Sequence, residues 1–165
     1  VDVIVFSAVD YNANAEIIGQ AAQRGIKIVV IDSDVNSSMV SCRIGTNNLQ
    51  AGVKAAEAAL AVGEDELYIG IVNYDVNSAN GQQRELGFRQ TVEQDPRVKD
   101  ITTINVLSTT EDARAGAKEM LLSDSRINVV AGPSGIWTGE TGRRWWRLTP
   151  MWSLWECWRP GRWMP

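Results

Sequence analysis

Hydrophobic runs alternate with amphipathic stretches along the first 132 residues of the chain. The opening run, "VDVIVFSAV", is rich in β-branched residues and predicts a buried strand. The next stretch predicts a helix, because Asp10 or Asn12 can cap it and Gly25 can end it in a left-handed conformation. Its predicted apolar face consists of Ala13, Ile17, Ile18, Ala21 and Ala22. "IKIVVID" predicts a second buried strand, which completes a right-handed βαβ unit of a parallel sheet.

A polar segment separates this unit from further alternating elements. Residues 33–48 are rich in Ser and Asn and predict a long loop or crossover. The helix predicted from "LQAGVKAAEAALAVG" ends at Gly63, and its apolar face consists of Leu49, Val53, Ala56 and Leu60. "ELYIGIVNY" predicts a third strand, followed by the polar loop "DVNSANGQQ" and the helix "RELGFRQTVEQD", which Pro96 closes.

Two more predicted strands, "DITTINVLS" and "INVVAG", flank the helix "EDARAGAKEMLLS". Thr109 and Asp112 stand at the start of this helix with the spacing of a capping box. The predicted strands are near-continuous apolar runs, as expected of strands that helices cover on both faces. The sequence through Gly132 therefore predicts an α/β fold with doubly wound parallel sheets.

The alternation stops in the last segment, residues 133–165. All seven tryptophans lie between Trp137 and Trp163, and the apolar positions follow neither the helical nor the strand period. An interfacial membrane helix or a stacking surface would use such tryptophans, but two prolines and a glycine interrupt any helix. We therefore expect an aberrant tail, frameshifted or disordered.

A frameshift would explain the tryptophans through the genetic code, since their single codon, TGG, is frequent in GC-rich DNA read out of frame. Read from the third position of each codon, the bases behind "WWRLTPMWSLWECWRPGRWMP" can encode a stretch close to "VAVDPDVVAVGMLASGALDA". That stretch has the composition of ordinary α/β sequence. The sequence leaves three origins open for these residues: a frameshift, an authentic Trp-rich tail and a cloning artefact.

Charge and residue types exclude several functions. The tail has five Arg and two Glu, a charge of +3, which leaves −7 for residues 1–132 because the whole chain carries −4. An acidic body argues against nucleic acid as a partner. Because His is absent and only Cys42 and Cys157 occur, we expect neither a zinc site nor a His-dependent nucleophile. No phosphate-cradling glycine motif occurs, so we expect no nucleotide cofactor.

Two further absences concern targeting. No apolar run is long enough to span a bilayer. The chain opens without a signal peptide, so we expect either a cytosolic protein or a sequence that lacks its true N-terminus.

Candidate ligand-binding residues follow the predicted strands, because ligands of open α/β sheets bind beyond the carboxyl ends of the strands. They are Asp10 and Tyr11; Asp32, Ser33 and Asp34; Tyr74, Asp75 and Asn77; Ser108, Thr109 and Thr110; and Pro133 and Ser134. Gln82, Gln83 and Arg84 follow near the start of a helix. These hydroxyls, carboxylates and amides suit a ligand with many hydroxyl groups.

Simpler structural roles compete with ligand binding at most of these positions. Helix capping is the favoured interpretation of Asp10 and Thr109, because each precedes a helix. Arg84 can pair with a surface acid instead of a ligand. Asp32 is different, because it ends a strand and leads into a loop, where capping does not explain it.

Several motifs together resemble a known family. They are Val-Ile-Asp at residues 30–32, Thr-Asn-Asn at residues 46–48 before an Ala-rich helix, and Arg-Glu-Leu-Gly-Phe at residues 84–88. Through these motifs, residues 1–134 resemble the type I periplasmic sugar-binding proteins, the ribose-binding-like solute receptors of ABC transporters. The resemblance implies two similar α/β lobes joined by a hinge, with a sugar held between them.

The resemblance also implies how the chain is divided. Residues 1–45 would form the latter part of the first lobe, residues 46–48 a hinge crossing and residues 49–132 the first part of the second lobe. Each lobe would then be incomplete, and residues 133–165 would form the tail.

The resemblance further implies roles for single residues. Asp32 would accept hydrogen bonds from sugar hydroxyls. Gln82 lies where many relatives carry Arg, Thr109 where an aromatic residue often packs on the sugar ring, and Ser134 where relatives usually carry Asn. The expected sugar-binding residues are Asp32, Ser33, Asn77, Gln82, Arg84, Thr109 and Ser134.

These implications lead to a functional prediction. The chain would belong to a monomeric solute-binding component of an ABC sugar importer that binds a monosaccharide, docks on the permease and catalyses no reaction. It would act in the periplasm, or lipid-anchored at the surface of a single-membrane bacterium. Three alternatives stay open: the effector-binding domain of a lactose-repressor-like transcription regulator, a nucleotide-dependent α/β enzyme, and a damaged gene product without activity.

Overall fold

Two sheets organise the protein, as seen in a computed structural model that describes residues 1–107, 109–132, 135–140 and 144–147, with side chains up to residue 132. The first sheet has the order β1-β2-β3 and is parallel throughout; its strands are β1 (Val3–Phe6), β2 (Lys27–Ile31) and β3 (Cys42–Ile44). Helix α1 (Ala15–Gln23) connects β1 to β2. The first βαβ unit predicted from the sequence is therefore confirmed.

The second sheet has the order β5-β4-β6-β7-β8. Its strands are β4 (Leu67–Tyr74), β5 (Val98–Val106), β6 (Val129–Gly132), β7 (Gly135–Glu140) and β8 (Arg144–Arg147). β4 pairs in parallel with both β5 and β6, whereas β7 and β8 extend the sheet in antiparallel fashion. The helices are α2 (Asn48–Leu60), which precedes β4, α3 (Ala79–Val92) between β4 and β5, and α4 (Thr110–Ser123) between β5 and β6.

Helices cover both faces of the second sheet, as the apolar strands predict. On one face, Phe88 and Val92 of α3 pack with Ala56 of α2 against Leu67 and Ile69 of β4. On the other face, a cluster around Met120 of α4 includes Val72 and Val130. The first sheet has a smaller core on one face, formed by Ala8, Ile18, Ile28, Val30 and Val35.

Two glycines allow α2 and α3 to approach closely. A Cβ atom at Gly52 would overlap the carbonyl oxygen of Arg84, and one at Gly87 would overlap the carbonyl oxygen of Leu49. The helices therefore meet backbone to backbone. This contact fixes the middle of α3 against α2.

The structure corrects several boundaries predicted from the sequence. β3 lies inside the segment predicted as a loop. The sequence did not predict this strand, because its three residues are exposed and show no apolar pattern. α3 begins at Ala79, so Gln82 and Gln83 lie in its first turns and not in a loop. α1 begins only at Ala15, and Ile17 of its predicted apolar face is 59% exposed. In the part of the chain that is described, no helix is both long and apolar enough to cross a membrane.

Candidate functional site

Asp32 directly follows β2 and has an unusual backbone conformation. Its φ is +57°, and among the described residues it is the one non-glycine residue with a positive φ. Its N–H donates to the carbonyl oxygen of Ile44 at 2.9 Å. A Cβ atom at Gly45 would lie 2.9 Å from the carbonyl oxygen of Asp32, so the glycine lets β3 end close to this residue. The backbone of Asp32 is thus held in place while its side chain is exposed.

The loop after Asp32, residues 33–37, is bound by Arg43 of β3. The guanidinium donates through Nε to Oδ1 of Asp34 at 2.8 Å and through Nη2 to the carbonyl oxygen of Ser37 at 2.6 Å. Oδ1 of Asp34 also accepts the N–H of Val35 at 2.8 Å. Ser33 is 7% exposed, and its carbonyl oxygen accepts the N–H of Ala8 at 3.2 Å. Asp32 and Ser33 are adjacent in sequence, but only Asp32 presents an accessible side chain.

The loop after β1 connects the two sheets. The N–H of Tyr11 donates to the carbonyl oxygen of Asn77 at 2.9 Å, and Asn77 follows β4 in the second sheet. The carbonyl oxygen of Tyr11 accepts the N–H of Asn36 at 2.7 Å. Nδ2 of Asn36 donates to Oδ1 of Asn12 at 2.9 Å. Loops from the carboxyl ends of β1, β2 and β4 therefore meet.

Asp10 stabilises the turn that carries Tyr11. Its Oδ1 accepts the N–H groups of Asn12 at 2.8 Å and Ala13 at 2.9 Å. The helix cap predicted at Asp10 is wrong, because α1 begins only at Ala15 with Asn14 at its N-cap position and without a side-chain cap hydrogen bond. The carboxylate of Asp10 instead orders the loop that reaches the second sheet.

Asn77 and Gln82 lie on either side of the start of α3. Asp75 accepts the N–H of Asn77 through Oδ1 at 2.9 Å, which orders the loop. The N–H of Gln82 donates to the carbonyl oxygen of Ser78 at 3.1 Å, as in a first helical turn. The side chains of Asn77 and Gln82 are both exposed. Their amide groups can therefore reach a ligand.

Arg84 belongs to a buried polar cluster between α2 and α3. Its Nε donates to Oδ1 of Asn48 at 2.7 Å, and Nδ2 of Asn48 donates to Oδ1 of Asn80 at 2.8 Å. Asn48 is 4% exposed and Asn80 is 8% exposed. Sequence reasoning did not single out either asparagine as a site residue, although Asn48 ends the Thr-Asn-Asn motif. The cluster links the predicted hinge crossing to the start of α3.

A second polar cluster fixes α3 on the sheet. Glu85 accepts hydrogen bonds from Nδ2 of Asn73 at 2.7 Å and from Oγ1 of Thr103 at 3.0 Å. Arg89 donates to Oγ1 of Thr103 at 2.6 Å. Asn73 is 2% exposed, and the cluster therefore satisfies a polar side chain inside the sheet. It received no prediction, because its members are far apart in sequence.

Thr109, the predicted site residue that follows β5, lies at the start of α4. Thr109 caps α4: its Oγ1 accepts the N–H of Asp112 at 3.1 Å and donates to Oδ2 of Asp112 at 2.7 Å. Its side chain is exposed, and the predicted capping role is confirmed. Ser108, Pro133 and Ser134 lie outside the described residues.

Shifted pKa values occur at the other end of the second sheet. A hydrogen bond from the Arg97 side chain holds the pKa of the Asp95 carboxyl below its ordinary value, and Arg126 does the same to Asp124. Asp95 precedes β5 and Asp124 precedes β6, so both lie away from the carboxyl ends of the strands. Among the described residues, no group of three or more His, Cys, Asp or Glu side chains is placed to hold a metal ion.

The sequence matches the periplasmic binding protein domain family over residues 1–142. The chain belongs to this family. The family resemblance and the α/β fold with parallel sheets predicted from the sequence are both confirmed. A search of the curated proteins finds no match for the chain.

Solved structures with the same fold include proteins of sugar transport. The chain is similar to a sugar transporter from Clostridium phytofermentans, with 26% identity, a TM-score of 0.71, and coverage of 79% of this chain and 48% of that one. An ABC transporter solute binding protein from Burkholderia graminis C4D1M, in complex with D-arabinose, shows 25% identity and a TM-score of 0.75, with coverage of 81% and 46%. The periplasmic component of an ABC-type sugar transport system from Hahella chejuensis shares the fold at 23% identity, with a TM-score of 0.77 and coverage of 81% and 49%. The chain thus spans about half the length of these relatives.

Proposed function

We propose that this protein binds a monosaccharide at the loops that follow β1, β2 and β4. The observation that carries the proposal is the hydrogen bond between Tyr11 and Asn77, which joins the carboxyl-end loops of two separate sheets. Ligands of open α/β sheets bind at such ends. The loops expose a carboxylate at Asp32 and an amide at Asn77, and the start of α3 exposes the amide of Gln82. All three groups can bond to sugar hydroxyls.

The residues have different roles in this proposal. Asp32 accepts hydrogen bonds from two sugar hydroxyls, since a carboxylate has two acceptor oxygens. Asn77 and Gln82 each donate and accept, which matches the dual character of a hydroxyl group. Arg84 acts through Asn48, because its Nε is bonded there, and it keeps the start of α3 in position.

The similar structures support a sugar as the ligand. The Burkholderia graminis protein was solved with D-arabinose, and the Clostridium phytofermentans protein is a sugar transporter. By analogy, we infer that this protein is the extracytoplasmic solute-binding component of an ABC sugar importer, with a permease as its partner. Its role is binding and delivery rather than catalysis.

Isothermal titration calorimetry with a panel of monosaccharides, D-arabinose among them, tests the proposal. We expect one of them to bind, and Asp32→Asn to weaken that binding at least about tenfold, since a hydrogen bond to a charged group stabilises by roughly 1.5–3 kcal/mol. Asp2→Asn is the matched control. Asp2 precedes β1, so it lies at the amino-terminal ends of the parallel strands, whereas Asp32 lies at their carboxyl ends. Binding of nucleotides or phosphorylated ligands alone would contradict the proposal.

A further inference from the structure

The loop of residues 33–37 is attached at two points to a single side chain. Arg43 binds Asp34 near the start of the loop and the carbonyl oxygen of Ser37 at its end. The side chains of Arg43 and Asp34 are 45% and 33% exposed, so their ion pair by itself contributes little to stability. The geometry matters more, because a planar guanidinium with two bonded nitrogens fixes the orientation of the loop as well as its distance from β3.

The bound loop in turn holds Tyr11 through Asn36. The N–H of Asn36 bonds to the carbonyl oxygen of Tyr11, and the side chain of Asn36 bonds to Asn12. The N–H of Tyr11 then donates to the carbonyl oxygen of Asn77, in the loop that follows β4 of the second sheet. The N–H and the carbonyl group of Tyr11 therefore connect the loop of residues 33–37 to the loop that follows β4. A displacement of that loop would weaken the contact with Asn77.

We propose that Arg43 is a positioning residue of the sugar site. It keeps Asn36 aligned with Tyr11 and so maintains the contact between the two sheets, and it orders the loop that begins directly after Asp32. This inference rests on the proposed function as far as the sugar is concerned. The effect of Arg43 on the contact between the two sheets does not depend on the sugar and can be measured without it.

Amide hydrogen exchange of the protein without sugar tests this role. Arg43→Met keeps the side-chain stem but removes the donors, and we expect exchange at Tyr11 and Asn36 to become on the order of tenfold faster. The amides of Val30 in β2 and Ile71 in β4 should keep their rates, because they belong to the strand ladders. Arg24→Met, at an exposed arginine just after α1, is the matched control and should change none of these rates.

Two further results decide between positioning and general stabilisation. Arg43→Lys retains a charge for Asp34 but lacks the planar pair of donors, so it should give an intermediate exchange rate at Tyr11. The proposal is overturned if Tyr11 exchanges at the wild-type rate in Arg43→Met, or if Val30 accelerates as much as Tyr11. Because no sugar is present, these results stand even if the calorimetry finds no monosaccharide ligand. If one binds, Arg43→Met should release it faster than the wild-type protein.

Discussion

Asp32 shows how residue type and local geometry agree at the candidate site. A left-handed backbone is costly for most residues, but Asp and Asn tolerate it better than others because their short polar side chains can bond locally. The conformation turns the chain sharply between β2 and the loop of residues 33–37. An aspartate at this position therefore combines a backbone requirement with an exposed carboxylate.

Substitutions at Asp32 should separate these two properties. Asp32→Val places a β-branched residue at a φ of +57°, so we expect a loss of about 1–2 kcal/mol in the free energy of unfolding. Asp32→Asn keeps the tolerance for this conformation and should unfold within about 0.5 kcal/mol of the wild type. Urea denaturation of the two variants measures the difference. Equal stability of the two would show that the turn relaxes without cost.

Arg84 illustrates a limit of reasoning from single residues. The sequence leaves open whether this arginine binds a ligand or pairs with a surface acid. The structure bonds it to Asn48, an amide 36 positions away. Such a partner cannot be predicted from local sequence, since the two residues meet only because α2 and α3 pack side by side. Its role in ligand binding stays a prediction.

At the scale of elements, the contact between α2 and α3 determines where the site residues of α3 lie. Gly52 and Gly87 allow the two backbones to touch. Asn48 and Glu85 then anchor α3 to the neighbouring helix and to the sheet. Gln82 therefore projects from a helix that is held on two sides.

Two Gly→Ala substitutions should have opposite effects on the free energy of unfolding. Gly52→Ala introduces a methyl group that overlaps the backbone of Arg84, so we expect destabilisation of about 1–3 kcal/mol. Gly19 lies inside α1 with no atom within 4 Å of an added Cβ, so Gly19→Ala should stabilise by about 0.5–1 kcal/mol. Thermal unfolding of both variants checks the pair. A stable Gly52→Ala protein would mean that α2 and α3 can separate freely.

At the scale of the whole molecule, charge pairs lie at the end of the second sheet opposite to the candidate site. Because Arg126 hydrogen-bonds to Asp124, the pKa of this carboxyl is lower in the folded protein than in the unfolded chain. The folded state therefore binds fewer protons, and the stabilisation is complete above the unfolded pKa of about 3.9. It is lost as the pH falls through the lower, folded value.

Acid unfolding should reveal this linkage. Between about pH 5 and pH 2, the free energy of unfolding of the wild type should fall more steeply than that of Asp124→Asn, which lacks the titrating group. Arg126→Met should show the same shallower dependence, because it removes the cause of the shift. Urea titrations across this pH range measure the slopes. Identical slopes in all three proteins would rule out a contribution from this pair.

Much of the architecture was determined by the sequence itself. Apolar runs and amphipathic stretches record which faces of strands and helices are buried, so β1, β2, β4, β5 and β6 and the intervening helices could be predicted. Because ligands bind beyond the carboxyl ends of the strands, Asp32 and Asn77 could then be predicted as ligand-binding residues. The family resemblance, stated for residues 1–134 and carried by three short motifs, is confirmed by a family match over residues 1–142. The interpretations offered for residues 133–165 stay predictions.

Only the tertiary structure decided which of these strand ends meet. The bonds of Tyr11 with Asn77 and of Arg43 with the loop of residues 33–37 join segments that share no local pattern. β3 was not predicted from the sequence, because it is short and exposed and forms only by pairing with β2. Local periodicity reports burial within one element, whereas a binding site depends on contacts between elements, and those contacts form only when the sheets and helices are packed.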